Sequence, residues 1–221
     1  MLQILRDIYS DLELANYLGF KGGTALMLFY ELPRFSVDLD FNLLKPEKEE
    51  DVFKKLKAIL LKYGTIDDEA QKFFGPILVL NYGKNERKLK VEISNRQDNS
   101  LYEVKTFMGI NMLLMTKPCM FAHKLCALLD RKELTNRDIF DCWFFMEKQT
   151  PLNRALIEDR MKMPLSDYLK KCIDTLTKMS DKGLLNGIGD LLEEKMKTFV
   201  RTKLRTEVIQ LLNFYKEFPI E

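Results

Sequence analysis

The apolar positions of the chain change their period several times, and each change predicts a different element. Leu2, Leu5, Ile8, Tyr9, Leu12 and Tyr17 recur at helical spacing, which predicts an N-terminal helix ended by Gly19. Gly22 and Gly23 then open the apolar run Ala25, Leu26, Leu28 and Phe29, a short helix that stops at Leu32 and Pro33. From Ser36 to Phe41 the period drops to two. Ser36, Asp38 and Asp40 fall on one strand face, and Val37, Leu39 and Phe41 on the other. Lys45, Pro46 and Glu47 start a charged helix running to about Lys62, its acids in the first turn and its lysines later, as the helix dipole favours. Gly75 and Pro76 introduce a strand over 77–82, and a polar turn over 83–86 leads into a second strand over 88–94. In that strand Leu89, Val91 and Ile93 alternate with Lys88, Lys90, Glu92 and Ser94. From Met115 the pattern is wholly helical. Thr116 caps a helix containing Pro118 with the buried stripe Phe121, Leu125, Leu128 and Leu129, and a second helix begins near Asn136. Beyond Pro151, helices are expected over 165–179 and 191–215, with Gly183, Gly187 and Gly189 marking the loop between them.

At 221 residues the chain suits one substantial domain or two small lobes, and it is long enough to bury a core. Its 46% hydrophobic and 31% charged residues describe a globular protein rather than a disordered one. The net charge of +2 points neither to nucleic acid nor to a membrane surface, although a local basic patch is compatible with it. No apolar run approaches bilayer length, and the N-terminus carries acids inside its apolar pattern, so a cytoplasmic protein without a membrane partner is expected. Cys119, Cys126, Cys142 and Cys172 show no paired spacing and sit in helical apolar contexts, which reads as buried free thiols. His123, the only histidine, is a poor candidate for a histidine-based metal site or a Ser-His-Asp triad.

Candidate chemistry concentrates in residues 21–41. Gly22 and Gly23 leave no side chain where the backbone enters a helix, so the unpaired amides of its first turn can approach an anion such as a phosphate. Asp38 and Asp40 point the same way one pleat repeat apart, and a cation between them, most simply Mg²⁺, would relieve their repulsion. Glu92 lies on the polar face of its own strand, either as a third metal ligand or as a solvent-facing residue of an edge strand. Phosphate seat and metal seat together suggest nucleotide chemistry. A basic run in the last helix, Lys195, Lys197, Arg201, Lys203 and Arg205, is either a solvated face or an RNA-backbone contact.

The order of glycine pair, helix and RxSxDxDF strand resembles the nucleotidyltransferase superfamily, and KGGTAL followed by RFSVDLDF is similar to the AbiEii/AbiGii toxin family within it. FAHKLCALLDRKELTNRDIFDCWFF resembles that family's second block, a lysine-bearing helix followed by an RDxxD helix. The resemblance implies an α/β protein: a nucleotidyltransferase lobe with a small mixed β-sheet over 1–114, and a C-terminal α-helical lobe over 115–221 that completes an active-site cleft. It further implies an enzyme that transfers NMP from an NTP to a hydroxyl acceptor and releases pyrophosphate. Two Mg²⁺ ions would be held by Asp38, Asp40 and Glu92. Gly22, Gly23 and Thr24 would grip the β and γ phosphates, and Ser36 would bond the same phosphates or orient Asp38. Lys124, Arg131 and Arg137 would hold the triphosphate, with Asp141 orienting a cation or the substrate; Arg131 reads equally as surface charge, and Asp138 as a helix cap. Arg137 and Asp141, four residues apart, are placed to pair on their helix. Arg34 would brace the strand or touch substrate. The biology implied is that of a toxin restrained by a separately encoded antitoxin, with RNA, in particular the 3′ end of tRNA, as acceptor. Two alternatives remain open at this point, a small-molecule nucleotidyltransferase of the antibiotic-modifying kind and a non-catalytic nucleotide-binding module.

Overall fold

A computed structural model describes residues 1–72, 74–83, 86–131 and 133–220. The chain clusters into two compact units: unit 1 holds Met1–Glu31 and Phe35–Met115, and unit 2 holds Leu32–Arg34 together with the residues from Thr116 on.

Unit 1 runs α1 (Leu2–Ser10), α2 (Leu12–Tyr17), β1 (Leu18–Lys21), α3 (Gly22–Tyr30), β2 (Leu39–Leu43), α4 (Glu49–Leu60), β3 (Thr65–Lys72), β4 (Gly75–Asn81), β5 (Leu89–Ser94), β6 (Tyr102–Phe107) and β7 (Ile110–Met115). The strands form one seven-stranded mixed sheet in the order β3-β4-β5-β2-β1-β7-β6. β2 pairs with β5, and β1 with β7, in parallel; the remaining pairs are antiparallel. The sheet buries its apolar face under α1, α2 and α4. There Phe20 and Phe41 meet at 5.4 Å between ring centroids, both fully buried, and the Tyr9 hydroxyl donates to the Leu18 carbonyl at 3.2 Å. Because side chains alternate, burying Phe20, Leu39, Phe41, Val91 and Ile93 on one face turns Lys21, Asp40, Asn42 and Glu92 to the other.

Unit 2 contains α5 (Lys117–Asp130), α6 (Asn136–Glu147), α7 (Arg154–Met161), α8 (Leu165–Lys178), α9 (Glu194–Thr202) and α10 (Leu204–Glu217). Its core includes Phe121, Phe145 and Tyr215; the first two stack at 5.0 Å, and Tyr215 meets Phe121 edge-on at 5.8 Å. All four cysteines are buried free thiols. Among the described residues no helix is long and apolar enough to cross a membrane.

Several elements depart from the sequence pattern, each for a local reason. The N-terminal helix is two helices, because the Asp11 carboxylate accepts from the amides of Glu13 and Leu14 at 3.0 and 3.1 Å and so starts α2 afresh. Gly19 lies inside β1 rather than ending a helix. A Cβ there would come within 2.2 Å of the Tyr102 ring, so the position is small to admit an aromatic side chain from β6. The strand expected over 36–41 is paired only from Leu39, and extends to Leu43. The long C-terminal helix breaks at Lys203, after the hydroxyls of Thr198 and Thr202 have each bonded the carbonyl four residues back. The hairpin of β4 and β5 is present; of its turn over 83–86, Lys84 and Asn85 lie outside the described residues.

Candidate active site

The polar face of the sheet gathers the unit 1 candidates across three neighbouring strands. Asp40 stands beside Glu92 in the parallel β2/β5 register and opposite Lys21 in the antiparallel β1/β2 register. Neighbouring strands lie roughly 4.7–4.9 Å apart, so the Asp40 and Glu92 side chains share one small area of the sheet. Asp38 precedes β2 and joins the same group through Lys90, whose Nζ lies 3.1 Å from a Glu92 carboxylate oxygen and 3.8 Å from one of Asp38. Three carboxylates are thus flanked by two ammonium groups, Lys21 on one side and Lys90 on the other.

These lysines belong to the candidate site and are not singled out by the motif. The alternation of β5 places Lys90 on the face of Glu92, and Lys21 adjoins the glycine pair, but only strand register brings them to Asp40. The Lys21 ammonium bonds the Asn42 side-chain oxygen, and Asn42 donates to the Tyr102 hydroxyl at 2.7 Å. Burial pushes the Lys21 pKa below the usual lysine value, against the opposing pull of Asp40, Asp98 and Glu92. Burial also works to lower the Lys90 pKa, but Glu92, Asp40 and Asp38 outweigh it and the net shift is upward.

α3 starts directly behind this face. Gly22 has φ +82°, and a Cβ built on it would lie 2.2 Å from a carboxylate oxygen of Asp40. The first glycine therefore lets the Asp40 carboxylate rest against the start of the helix, where the helix dipole favours negative charge. No side chain caps α3. Gly23 is buried, and Thr24 is fully buried with its hydroxyl donating to the Asp38 carbonyl. Thr24 thus fixes the backbone of the aspartate segment. Ser36 is half-buried ahead of β2.

Oxygen donors of this type suit Mg²⁺. Among the described residues, however, no group of three His, Cys, Asp or Glu side chains is arranged to hold a metal ion. Asp40 and Glu92 share the sheet face and Asp38 adjoins them, so the three carboxylates fit by chemistry, and Lys90 stands between two of them.

In unit 2, α6 presents two buried aspartates to three cations. Arg34 grips Asp141 with both arms, Nε to Oδ1 at 2.6 Å and Nη2 to Oδ2 at 2.8 Å. Lys124 reaches Asp141 at 2.8 Å and Asp138 at 3.1 Å, while Arg131 meets Asp138 at 2.9 Å. Thr135 caps α6, accepting from the Asp138 amide and donating to its carboxylate at 2.7 Å. Burial alone would raise the Asp141 pKa, but Lys124 and Arg34 outweigh it and bring it down to about 2. Lys124 is shifted upward: burial opposes this, and Asp141 and Asp138 prevail. The pairing expected between Arg137 and Asp141 does not form. Asp141 is fully buried against Arg34 and Lys124, and Arg137 is exposed and in no ion pair among the described residues.

Solved structures share this fold. A Helicobacter pylori protein described as a nucleotidyltransferase superposes with a TM-score of 0.62 at 21% identity, covering 98% of this chain and 92% of that one. MenT4, a nucleotidyltransferase toxin from Mycobacterium tuberculosis H37Rv, superposes at 0.60 with 16% identity, covering 96% of this chain and 81% of that one. At such identities the likeness is one of fold. No curated protein matches the chain significantly. The family model of the nucleotidyl transferase AbiEii toxin, type IV toxin–antitoxin system, matches residues 3–207. The chain belongs to this family, and is a nucleotidyltransferase of the toxin–antitoxin class.

Proposed function

We propose that the protein transfers an NMP from an NTP to a hydroxyl of RNA, with the 3′ end of tRNA as the acceptor, and that this is how it acts as a toxin. The observation that carries the reading is the register of β1, β2 and β5, which sets Lys21, Asp40 and Glu92 side by side on one face next to the start of α3. The acceptor hydroxyl gives its proton to solvent, its oxygen bonds the α phosphorus, the bond from that phosphorus to the bridging oxygen breaks, and pyrophosphate leaves. Asp38, Asp40 and Glu92 would hold two Mg²⁺ ions, which when bound offset the charge of the triphosphate and acidify the acceptor hydroxyl. The amides of Gly22 and Gly23 face the β and γ phosphates, and Ser36 bonds the same phosphates or steadies Asp38. Lys21 adds positive charge from β1. Thr24 serves the site through the Asp38 backbone.

For unit 2 the assignment rests on family resemblance. Lys124, Arg131 and Arg137 hold the triphosphate, and Asp141 orients Lys124. Arg137, exposed and in no ion pair among the described residues, is the cation of the three most available to a phosphate. The antitoxin that restrains the protein is a separate chain.

Incubation with labelled NTPs and total cellular RNA tests the reading. Label should enter small RNA with the wild type and be absent with Asp40→Ala, a loss on the order of a thousandfold or more if the carboxylate holds the reacting group. Label in a small metabolite or in the protein itself would refute the RNA acceptor while leaving the chemistry intact.

A further inference from the structure

The two lysines on the acidic face are not equivalent. Lys21 is tied to Asn42 on the β1 side. Lys90 instead reaches between Asp38, just ahead of β2, and Glu92 on β5, both candidate metal ligands. A cation bound by those two carboxylates must share their oxygens with the Lys90 ammonium, at 3.8 and 3.1 Å from it. A divalent ion bound to the same oxygens as the ammonium would be repelled by it in a partly buried site.

We propose that Lys90 is a built-in competitor for the metal: its ammonium holds Asp38 and Glu92 together, and a divalent cation enters only by exchanging with it. This rests on the reading of Asp38, Asp40 and Glu92 as metal ligands and adds a positioning residue to them. The exchange has a physical purpose. Without Lys90, Lys21 alone would face Asp40 and Glu92 in direct register with Asp38 beside them, and the carboxylates on the Asp38 and Glu92 side would repel one another. With it, the carboxylates stay together and metal affinity is held down. Lys90 then turns out of the group as the metal enters, and its charge becomes available to a phosphate.

Two measurements test this without relying on activity. Mn²⁺ binding is measured by calorimetry for the wild type, Lys90→Met, Lys90→Gln and Asp40→Asn. Removing the competitor should tighten Mn²⁺ binding about tenfold in both Lys90 variants, a size set by the loss of one nearby positive charge, whereas Asp40→Asn should weaken it. In EDTA the Lys90 variants should melt below the wild type, and Mn²⁺ should raise their midpoints by more than it raises that of the wild type. In the wild type itself, labelling of Lys90 by an amine-reactive ester, read by peptide mass against the exposed Lys54, should increase when Mn²⁺ is added. Unchanged or weaker Mn²⁺ binding in the Lys90 variants, or Lys90 labelling that does not rise, overturns the exchange. If the wild type binds Mn²⁺ and Asp40→Asn does not, such a result leaves the metal site standing and removes only the role of Lys90. If Asp40→Asn binds as the wild type does, or no variant binds, the metal reading falls and the exchange falls with it.

Discussion

Gly22→Ala is expected to abolish transfer and to destabilise the protein by roughly 2–5 kcal/mol, the sum of a left-handed backbone forced on a residue with a Cβ and a steric clash in a packed site. The clash is specific: the new Cβ would sit 2.2 Å from the Asp40 carboxylate, and the backbone there has φ +82°. A glycine kept only for phosphate approach would behave otherwise, since alanine would then weaken nucleotide binding with little effect on folding. The two explanations separate in a double variant. Asp40→Ala removes the carboxylate that the new Cβ strikes hardest and keeps the Asp40 Cβ, 2.8 Å from it, so Gly22→Ala placed on that background should cost less than in the wild type by roughly 1 kcal/mol or more, the remainder being the backbone share and the residual contact. Urea unfolding of the four proteins measures the coupling. Equal costs of Gly22→Ala with and without Asp40 would show that the carboxylate is not what the glycine accommodates.

That coupling marks the boundary of what could be read from the sequence. The glycine pair, the Asp38 and Asp40 alternation and the Lys124 and Arg137 blocks were legible because each is a local pattern with its own chemistry. The sheet was only half legible. β1 has four residues and was hidden behind the helical spacing of Tyr17, and β3, with the sequence TIDDEAQK, is an edge strand too polar to show an apolar alternation. β6 and β7 turn through Met108 and Gly109, both at positive φ, and methionine is not a residue that announces such a turn. With β1 and β7 missing, the register that sets Lys21 against Asp40 could not be derived, and Lys21 read as a residue next to a motif. Glu92 was legible as a candidate; its place beside Asp40 became definite only in the β2/β5 pairing. Arg34 and Asp141 were each legible, but their union spans 107 positions, and no local pattern encodes it.

Asp141→Asn should cost about 3–5 kcal/mol of stability, the usual consequence of removing one partner from a buried ion pair and leaving the other uncompensated. The side chains of Arg34 and Asp141 are 4% and 0% exposed, so water cannot take over either charge. The substitution would leave Arg34 and Lys124 facing each other across a neutral amide. Arg34→Met should be nearly as costly. The double variant should cost less than the sum of the two, by roughly 0.5–3 kcal/mol, because the second change removes a charge that the first has stranded. Acid unfolding supplies an independent check of sign. The folded Asp141 carboxyl titrates near 2, below its ordinary value of 3.8, so its contribution is fully present above pH 4 and fades as the pH falls from 4 towards 2. The wild-type advantage over Asp141→Asn should therefore be constant from pH 5 to 7 and shrink below pH 4. A residue retained only to orient substrate would give a different result: Asp141→Asn would lose transfer at full stability, with no acid dependence of the difference. Loss of both would show that the aspartate which orients Lys124 also holds α6 to the Arg34 segment and α5, so that motif and core are the same residues in this unit.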